Sequence, residues 1–173
     1  MSIAQSLLAE FEAQAPLTHR FLERLPEDKL TWRPHPKSMS AGQLAYHLAD
    51  TPGGVVRLSL TNPGKADGPP SFPQPASRNE VLGKFDETLR TVRELLPTLD
   101  DAAMNEIWRL EIAGRPVMAI PRVDFLRNIM LNHWYQHRGQ FGVYLRLLDI
   151  PVPATWGPSA DELPAFVREL QLA

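Results

Sequence analysis

The chain has 173 residues, of which 43% are hydrophobic and 22% charged, with a formal net charge of −2. This composition is typical of one globular domain over residues 1–173, and the mixed charges without a basic run argue against nucleic-acid binding. The absence of cysteine excludes disulfides, thiolate metal ligands and a cysteine nucleophile. Because the sequence has neither a signal-peptide pattern nor an apolar run of roughly 20 residues, we expect a cytoplasmic protein that does not enter the membrane.

A serine followed three residues later by Gln or Glu precedes four segments with apolar periodicity. In such a capping box the serine oxygen accepts a free backbone N–H, and the third residue reaches back to the serine N–H. The four pairs are Ser2 and Gln5, Ser40 and Gln43, Ser77 and Glu80, and Ser159 and Glu162. They predict three long helices over about Ser2–Arg24, Ser40–Leu60 and Ser77–Leu96, and a short final helix over about Ser159–Leu170.

The second predicted helix contains Pro52, Gly53 and Gly54 about one turn beyond His47. A proline within a helix leaves the carbonyl four residues earlier without its usual donor and usually bends the axis. We therefore expect an interruption of the helix at this point.

Two non-helical regions separate the long helices. Residues 62–76 are rich in proline and glycine, which predicts a loop. Between Trp108 and Ile120, apolar residues alternate around Ala113-Gly-Arg-Pro116, which predicts a small β-hairpin.

The longest helical pattern runs from about Pro121 to Leu148 and contains His133 and His137. Residues four apart lie on the same helix face, so these two imidazoles can bind one metal ion. Apolar residues at steps of three and four place both histidines in a predicted buried stripe of Leu126, Met130, His133, His137, Phe141, Tyr144 and Leu148. Because buried imidazoles need partners, a metal ion is one hypothesis, and ordinary packed histidines with hydrogen bonds are the other.

A catalytic zinc site typically has three protein ligands and one open position. Of the remaining histidines, His19 lies near a proline of the first helix and His35 lies between two prolines in a loop, so neither is expected to be a ligand. His47 lies within the second helix beside its apolar stripe. Long helices with long connections favour a four-helix bundle, in which metal ligands project from facing helices. His47 is therefore the preferred third ligand.

Polar residues follow the three histidines at a spacing of three. Asp50 is the candidate carboxylate for orienting a ligand, acting as a base or completing a structural metal shell, and Gln140 is the candidate partner of His137. Gln136 is expected to be solvated, and Tyr144 is expected to belong to the core rather than to a pocket. None of these residues can be assigned a catalytic role from the sequence.

Three segments together resemble DinB-like proteins and occur in the expected order. Residues 28–49 resemble the start of the second helix of that family, His133-Trp-Tyr-Gln-His137-Arg-Gly-Gln140 resembles its fourth-helix signature, and residues 150–162 resemble the tail of one branch. The resemblance implies an all-α fold, a four-helix bundle in up-down-down-up order. It also implies a three-histidine metal centre whose ligands fall on His47, His133 and His137.

The resemblance implies a range of functions, because the superfamily includes thiol-dependent transferases and isomerases. We expect one divalent ion (Zn, Ni or Fe) and a metal-dependent transferase or hydrolase that acts on a small molecule through a metal-bound thiolate or hydroxide. A low-molecular-weight thiol is then a candidate cosubstrate. The alternative is a non-catalytic stress-response dimer or small-ligand-binding bundle, with a structural metal or none. Homodimers are common in the family, and Gly139 and Gly142 would permit another helix to approach closely.

Overall fold

The computed structural model describes residues 1–171, so Leu172 and Ala173, the end of the predicted domain, lie outside the described residues. The chain is mostly helical with a small three-stranded sheet. Its elements are α1 (Ile3–Glu23), α2 (Ala41–Ser59), β1 (Gly64–Ala66), α3 (Arg78–Leu95), α4 (Asp101–Asn105), β2 (Ile107–Ile112), β3 (Arg115–Pro121), α5 (Arg122–Phe125), α6 (His133–Leu147) and α7 (Ala165–Gln171). Short 3₁₀ turns occupy Glu27–Lys29 and Leu96–Thr98, and a π-helical segment over Leu126–Asn132 joins α5 to α6.

Serine caps begin the first three long helices, as the sequence predicts. Ser2 precedes α1 and Ser40 precedes α2, and each forms a complete capping box with the glutamine three residues later. Ser77 caps α3 by accepting from the N–H of Glu80, whose carboxylate accepts instead from the N–H of Ala76. Each cap satisfies a helix N–H that has no partner within the helix, which explains why the predicted starts agree closely with the observed ones.

The helix predicted to begin at Ser159 is wrong in its start. The Ser159 hydroxyl accepts from the Glu162 N–H at 3.0 Å, but α7 begins only at Ala165. The Glu162 carboxylate accepts from the Ala154 N–H and pairs with Arg20 of α1, so it does not close a capping box. Ser159 and Glu162 therefore stabilise the irregular segment before α7, and Glu162 joins that segment to α1 through Arg20.

The sheet contains one strand more than the predicted hairpin. β2 and β3 pair antiparallel as expected, and β1, within the predicted loop, pairs parallel with β2 through Gly64 and Leu110. The Asn62 side chain accepts from the Arg109 N–H at 3.0 Å and donates to the Ile107 carbonyl at 2.9 Å. These contacts join residues far apart in sequence, so local periodicity does not reveal the third strand.

The core lies between the long helices. α2 packs against α3, α6 and the π-helical segment, and α1 packs against α3 and α6. α2 continues through Pro52 to Ser59, contrary to the predicted interruption. At Gly53 a Cβ atom would lie 2.9 Å from the Thr88 hydroxyl oxygen, so glycine is needed for the close approach of α2 and α3.

The two glycines of α6 have different surroundings. A Cβ at Gly142 would lie 3.1 Å from the Phe21 ring, so this glycine allows α6 to approach α1 within the chain. Gly139 is exposed, and a Cβ there would meet nothing within 4 Å. Across residues 1–171, every helix is either too short or too polar to span a lipid bilayer.

Candidate metal centre

His47 on α2 meets His133 and His137, which lie one turn apart at the start of α6. One ring nitrogen from each histidine lies within 4.8 Å of the other two, and the Nε2 atoms of His47 and His133 are 3.2 Å apart. All three side chains are half-buried, so the cluster lies at the edge of the core. The structure thus brings together the three residues that the sequence predicts as ligands. His19 and His35 do not join them.

The spacing suits a tetrahedral cation. Zinc–nitrogen bonds of about 2.0–2.1 Å separate two tetrahedral ligand atoms by about 3.3–3.4 Å, close to the observed 3.2 Å between His47 and His133. Imidazole nitrogen is also a good ligand for nickel and iron, so the donors themselves do not select among these metals. The three side chains therefore fit a divalent transition-metal ion with at least one coordination position left over.

The surroundings favour the neutral imidazoles that metal binding requires. Burial, together with repulsion from His137 and His133, lowers the pKa of His47 to about 4. Burial and the charge of His137 also lower the pKa of His133. At neutral pH both rings therefore have a free nitrogen lone pair without first losing a proton.

Two polar side chains contact the rings of His47 and His137. The Thr51 hydroxyl donates to the His47 carbonyl at 2.6 Å, and its oxygen lies 3.3 Å from His47 Nδ1 and 3.4 Å from His47 Nε2, so it contacts the ring without selecting one nitrogen. Gln140 Oε1 lies 2.9 Å from His137 Nδ1. A proton on His137 Nδ1, accepted by Gln140, leaves the Nε2 atom of that ring with the free lone pair. Gln140 was a sequence candidate, whereas Thr51 was missed, although a polar residue four positions after His47 in an apolar stripe is a usable signal.

Asp50, the other sequence candidate, points to a different surface. Its carboxylate lies 3.6 Å from the Arg57 guanidinium, and within residues 1–171 no carboxylate oxygen belongs to the histidine cluster. Gln136 is exposed, as expected. Tyr144 is buried, donates to the Met39 carbonyl at 3.2 Å and packs edge-on to Trp32, so it belongs to the core.

The predicted buried stripe is wrong by one residue at the histidines. Trp134 and Arg138 occupy the buried positions, and His133 and His137 lie beside them. Along the π-helical segment and the first turn of α6, the buried residues recur every four positions at Leu126, Met130, Trp134 and Arg138. A π turn closes with hydrogen bonds between residues five apart and is wider than an α turn, so the buried face advances more slowly along the sequence. The histidines thereby turn toward His47 and keep partial access to solvent.

Arg138 is buried, and within residues 1–171 it has no carboxylate partner. Its guanidinium donates to the Gln14 side chain at 2.7 Å and to the Thr18 hydroxyl at 3.2 Å, and lies 5.4 Å from the centre of the Tyr135 ring. Burial lowers the pKa of this arginine, although guanidinium remains charged near neutrality. These contacts hold α6 against α1 directly behind His137.

A curated relative covers most of the chain. The uncharacterized protein YrdA of Bacillus subtilis is 25% identical over 162 residues, which is 92% of this chain and 90% of that protein. The chain therefore matches nearly the whole length of this relative rather than a fragment of it.

Solved structures show the same fold. A DinB-like protein from Bacillus cereus matches with a TM-score of 0.68 at 22% identity, over 88% of this chain and 97% of that one. A DinB-like protein from Bacillus subtilis, YjoA, matches with a TM-score of 0.60 at 17% identity, over 86% and 96%. The family model described as the DinB superfamily matches residues 10–141, a range that includes all three histidines. The chain belongs to the DinB superfamily.

Proposed function

We propose that this protein is a metal-dependent enzyme that holds one divalent ion on His47, His133 and His137 and acts on a small molecule. The observation that carries the proposal is the convergence of three imidazole nitrogens within 4.8 Å, contributed by two helices. A divalent cation bound there would increase the acidity of a coordinated water or thiol, which supports hydrolase or thiol-transferase chemistry.

The chain's own residues support a catalytic rather than a structural centre. Structural zinc sites usually have four protein ligands, whereas the cluster within residues 1–171 offers three. Gln140 contacts the Nδ1 atom of His137 and Thr51 contacts the His47 ring, which supports ligands that are held before any substrate arrives. The half-buried position leaves a side of the cluster open to a small molecule.

A second candidate function is a non-catalytic bundle with a structural metal or none. The 3.2 Å separation of His47 Nε2 and His133 Nε2 favours it, because two neutral imidazoles at this distance can share a hydrogen bond without a metal. If no metal is bound, this alternative predicts that a chelator leaves the unfolding temperature unchanged. If a structural metal is bound, it predicts that a chelator lowers the unfolding temperature without affecting any activity.

Metal content of protein purified without an affinity tag tests the proposal. We expect about one zinc, nickel or iron ion per chain, and loss of that ion in His47→Ala, His133→Ala and His137→Ala. His19→Ala and His35→Ala are matched controls because both histidines lie outside the cluster, and they should keep the full metal content. Equal metal content in all five variants would contradict the assignment.

Metal-loaded protein then distinguishes the two functions. We expect turnover of an electrophile in the presence of a low-molecular-weight thiol, or hydrolysis without it, and loss of that turnover after chelation. Chelation that lowers only the unfolding temperature, with no turnover before or after, would favour the structural alternative.

The proposed assembly is a homodimer of four-helix bundles in which α1, α2, α3 and α6 run up-down-down-up. Packing among these helices supports the bundle. On the outer face of α6, Val143 and Leu147 are 58% and 57% exposed, and Gly139 lies on the same face. Sedimentation of wild-type protein and of Val143→Glu tests the dimer. We expect the charge to shift the protein toward monomers.

A further inference from the structure

The proline-rich segment before α3 is fastened to the start of α2, one turn before His47. Gln43 Nε2 donates to the Phe72 carbonyl at 2.8 Å. The Gln74 side chain accepts from the Ser40 hydroxyl at 2.6 Å and donates to the Leu30 carbonyl at 3.1 Å. These bonds hold the backbone of the segment on both sides of Pro73 and thereby place Phe72.

The Phe72 ring lies against the histidine cluster. Its centroid is 5.2 Å from that of His47, with an angle of 76° between the ring planes, an edge-to-face arrangement. The side chain is nevertheless 41% exposed. Because the segment is held through backbone and glutamine contacts, the ring is not needed to anchor it. A large apolar side chain thus stands in a fixed place beside the proposed ligands with much of its surface uncovered.

A cation binds the donor atoms of a substrate and does not discriminate among the groups attached to them. Discrimination must then come from the walls around the open coordination position. Among the aromatic rings other than the histidines themselves, Phe72 is the one whose ring pairs with a member of the cluster in the described part of the chain. An aromatic substituent on the substrate can cover its exposed surface and gain edge or stacking contacts.

We propose that Phe72 is a specificity-determining residue that forms an apolar wall of the site on the His47 side. It selects small molecules that carry an aromatic group next to the atom that binds the metal. This inference rests on the proposed metal site and specifies the class of ligand that the site takes.

Cobalt-loaded protein provides a test that does not depend on turnover. Acetohydroxamate and benzohydroxamate share one metal-binding group and differ in a methyl or phenyl substituent, and the visible absorption of Co²⁺ reports their binding. In Phe72→Ala we expect benzohydroxamate affinity to fall about threefold to tenfold, with acetohydroxamate affinity unchanged within about twofold. Phe72→Tyr should keep the preference, and Phe72→Leu, which keeps apolar bulk without the ring, should lose affinity in the same direction as Phe72→Ala.

Phe166→Ala is the matched control, because Phe166 on α7 is 54% exposed and undergoes the same chemical change. It should bind both probes as the wild type does. Undiminished benzohydroxamate binding by Phe72→Ala and Phe72→Leu would overturn the inference, as would an equal loss of both probes. Calorimetric titration with Co²⁺ precedes the hydroxamates. Absence of uptake there would remove the metal site itself, whereas uptake without a phenyl preference would remove only the role of Phe72.

Discussion

The indole nitrogen of Trp134 donates a 2.9 Å hydrogen bond to the backbone carbonyl of Leu48. Leu48 lies four residues before Pro52, which has no N–H to donate to it. The buried indole therefore supplies the partner that the proline lacks. Leu48 follows His47 and Trp134 follows His133, so this bond joins the backbones next to the two histidines whose Nε2 atoms are 3.2 Å apart.

Trp134→Phe should lower the free energy of unfolding by about 1–3 kcal/mol, because it leaves a buried carbonyl without a donor. Urea denaturation measures the change. Trp156→Phe is the control, since Trp156 is 61% exposed, and it should change stability by less than about 0.5 kcal/mol. Equal stability of the two variants would show that the indole bond contributes nothing.

Pro52→Ala extends this test to the origin of the bond. Alanine restores an N–H to the helix opposite the Leu48 carbonyl, so the indole is no longer its sole donor. In a double-mutant cycle, we expect Trp134→Phe to cost about 1 kcal/mol less in the Pro52→Ala background than in the wild type. Additive effects would contradict the coupling.

Thr51→Val should weaken zinc binding about tenfold, because the His47 ring loses the polar contact with the Thr51 hydroxyl. Competition with a chromophoric chelator measures the affinity. Thr51→Ser keeps the hydroxyl and should stay near the wild type. Thr88→Val is a matched control: Thr88 is a buried threonine whose hydroxyl has no hydrogen-bond partner within residues 1–171, and its replacement should not alter affinity.

Gln140→Leu should also weaken zinc binding, by up to about tenfold, through loss of the acceptor for His137 Nδ1. The effect should be smaller than at Thr51, because Gln140 is exposed and water can replace its oxygen. Gln136→Leu on the same helix provides the comparison and should leave the affinity unchanged. If Gln136→Leu lowered zinc affinity more than Gln140→Leu does, the substitutions would be acting by disturbing helix α6 and not by changing the orientation of the ring.

Glu162 should make the free energy of unfolding depend on pH in the acidic range. Burial raises the pKa of its carboxyl, but hydrogen bonds from the Ala154 N–H and Arg20 outweigh this, so the pKa lies below the ordinary 4.5. The stabilisation is present above pH 4.5 and is lost as pH falls through the lowered pKa, because the unfolded chain then binds more protons. Glu162→Gln should therefore cost up to about 1 kcal/mol at pH 7 and less at pH 3, measured by urea unfolding. A cost that is the same at both pH values would contradict this.

Much of the helical framework is predictable because its determinants are local. Ser2, Ser40 and Ser77 each satisfy a backbone N–H within three residues, so the sequence pattern and the structure report the same contacts. The pairing of His133 with His137 follows likewise from helix geometry. Grouping His47 with them requires only that two long helices face each other, together with the family resemblance.

The errors arise where distant contacts override a local pattern. The Glu162 carboxylate pairs with Arg20 rather than completing a capping box. The Asp50 carboxylate pairs with Arg57 rather than with a histidine. The strand Gly64–Ala66 depends on β2, more than 40 residues later. Phe72 reaches the cluster only because its segment folds back onto α2. None of these pairings has a periodic signature that a single sequence could reveal.

The wide turn over Leu126–Asn132 lies within one continuous helical segment and changes which residues face the core on its two sides. Before this turn, α5 packs against β2 and β3 of the hairpin. After it, α6 places the imidazoles of His133 and His137 beside His47. If the same residues were wound as an ordinary α-helix without the wide turn, His133 and His137 would be rotated together by about 100° relative to the preceding segment. The π turn thus shifts the buried face by one residue, so that the two imidazoles lie at the margin of the hydrophobic interior, where a solute can contact them.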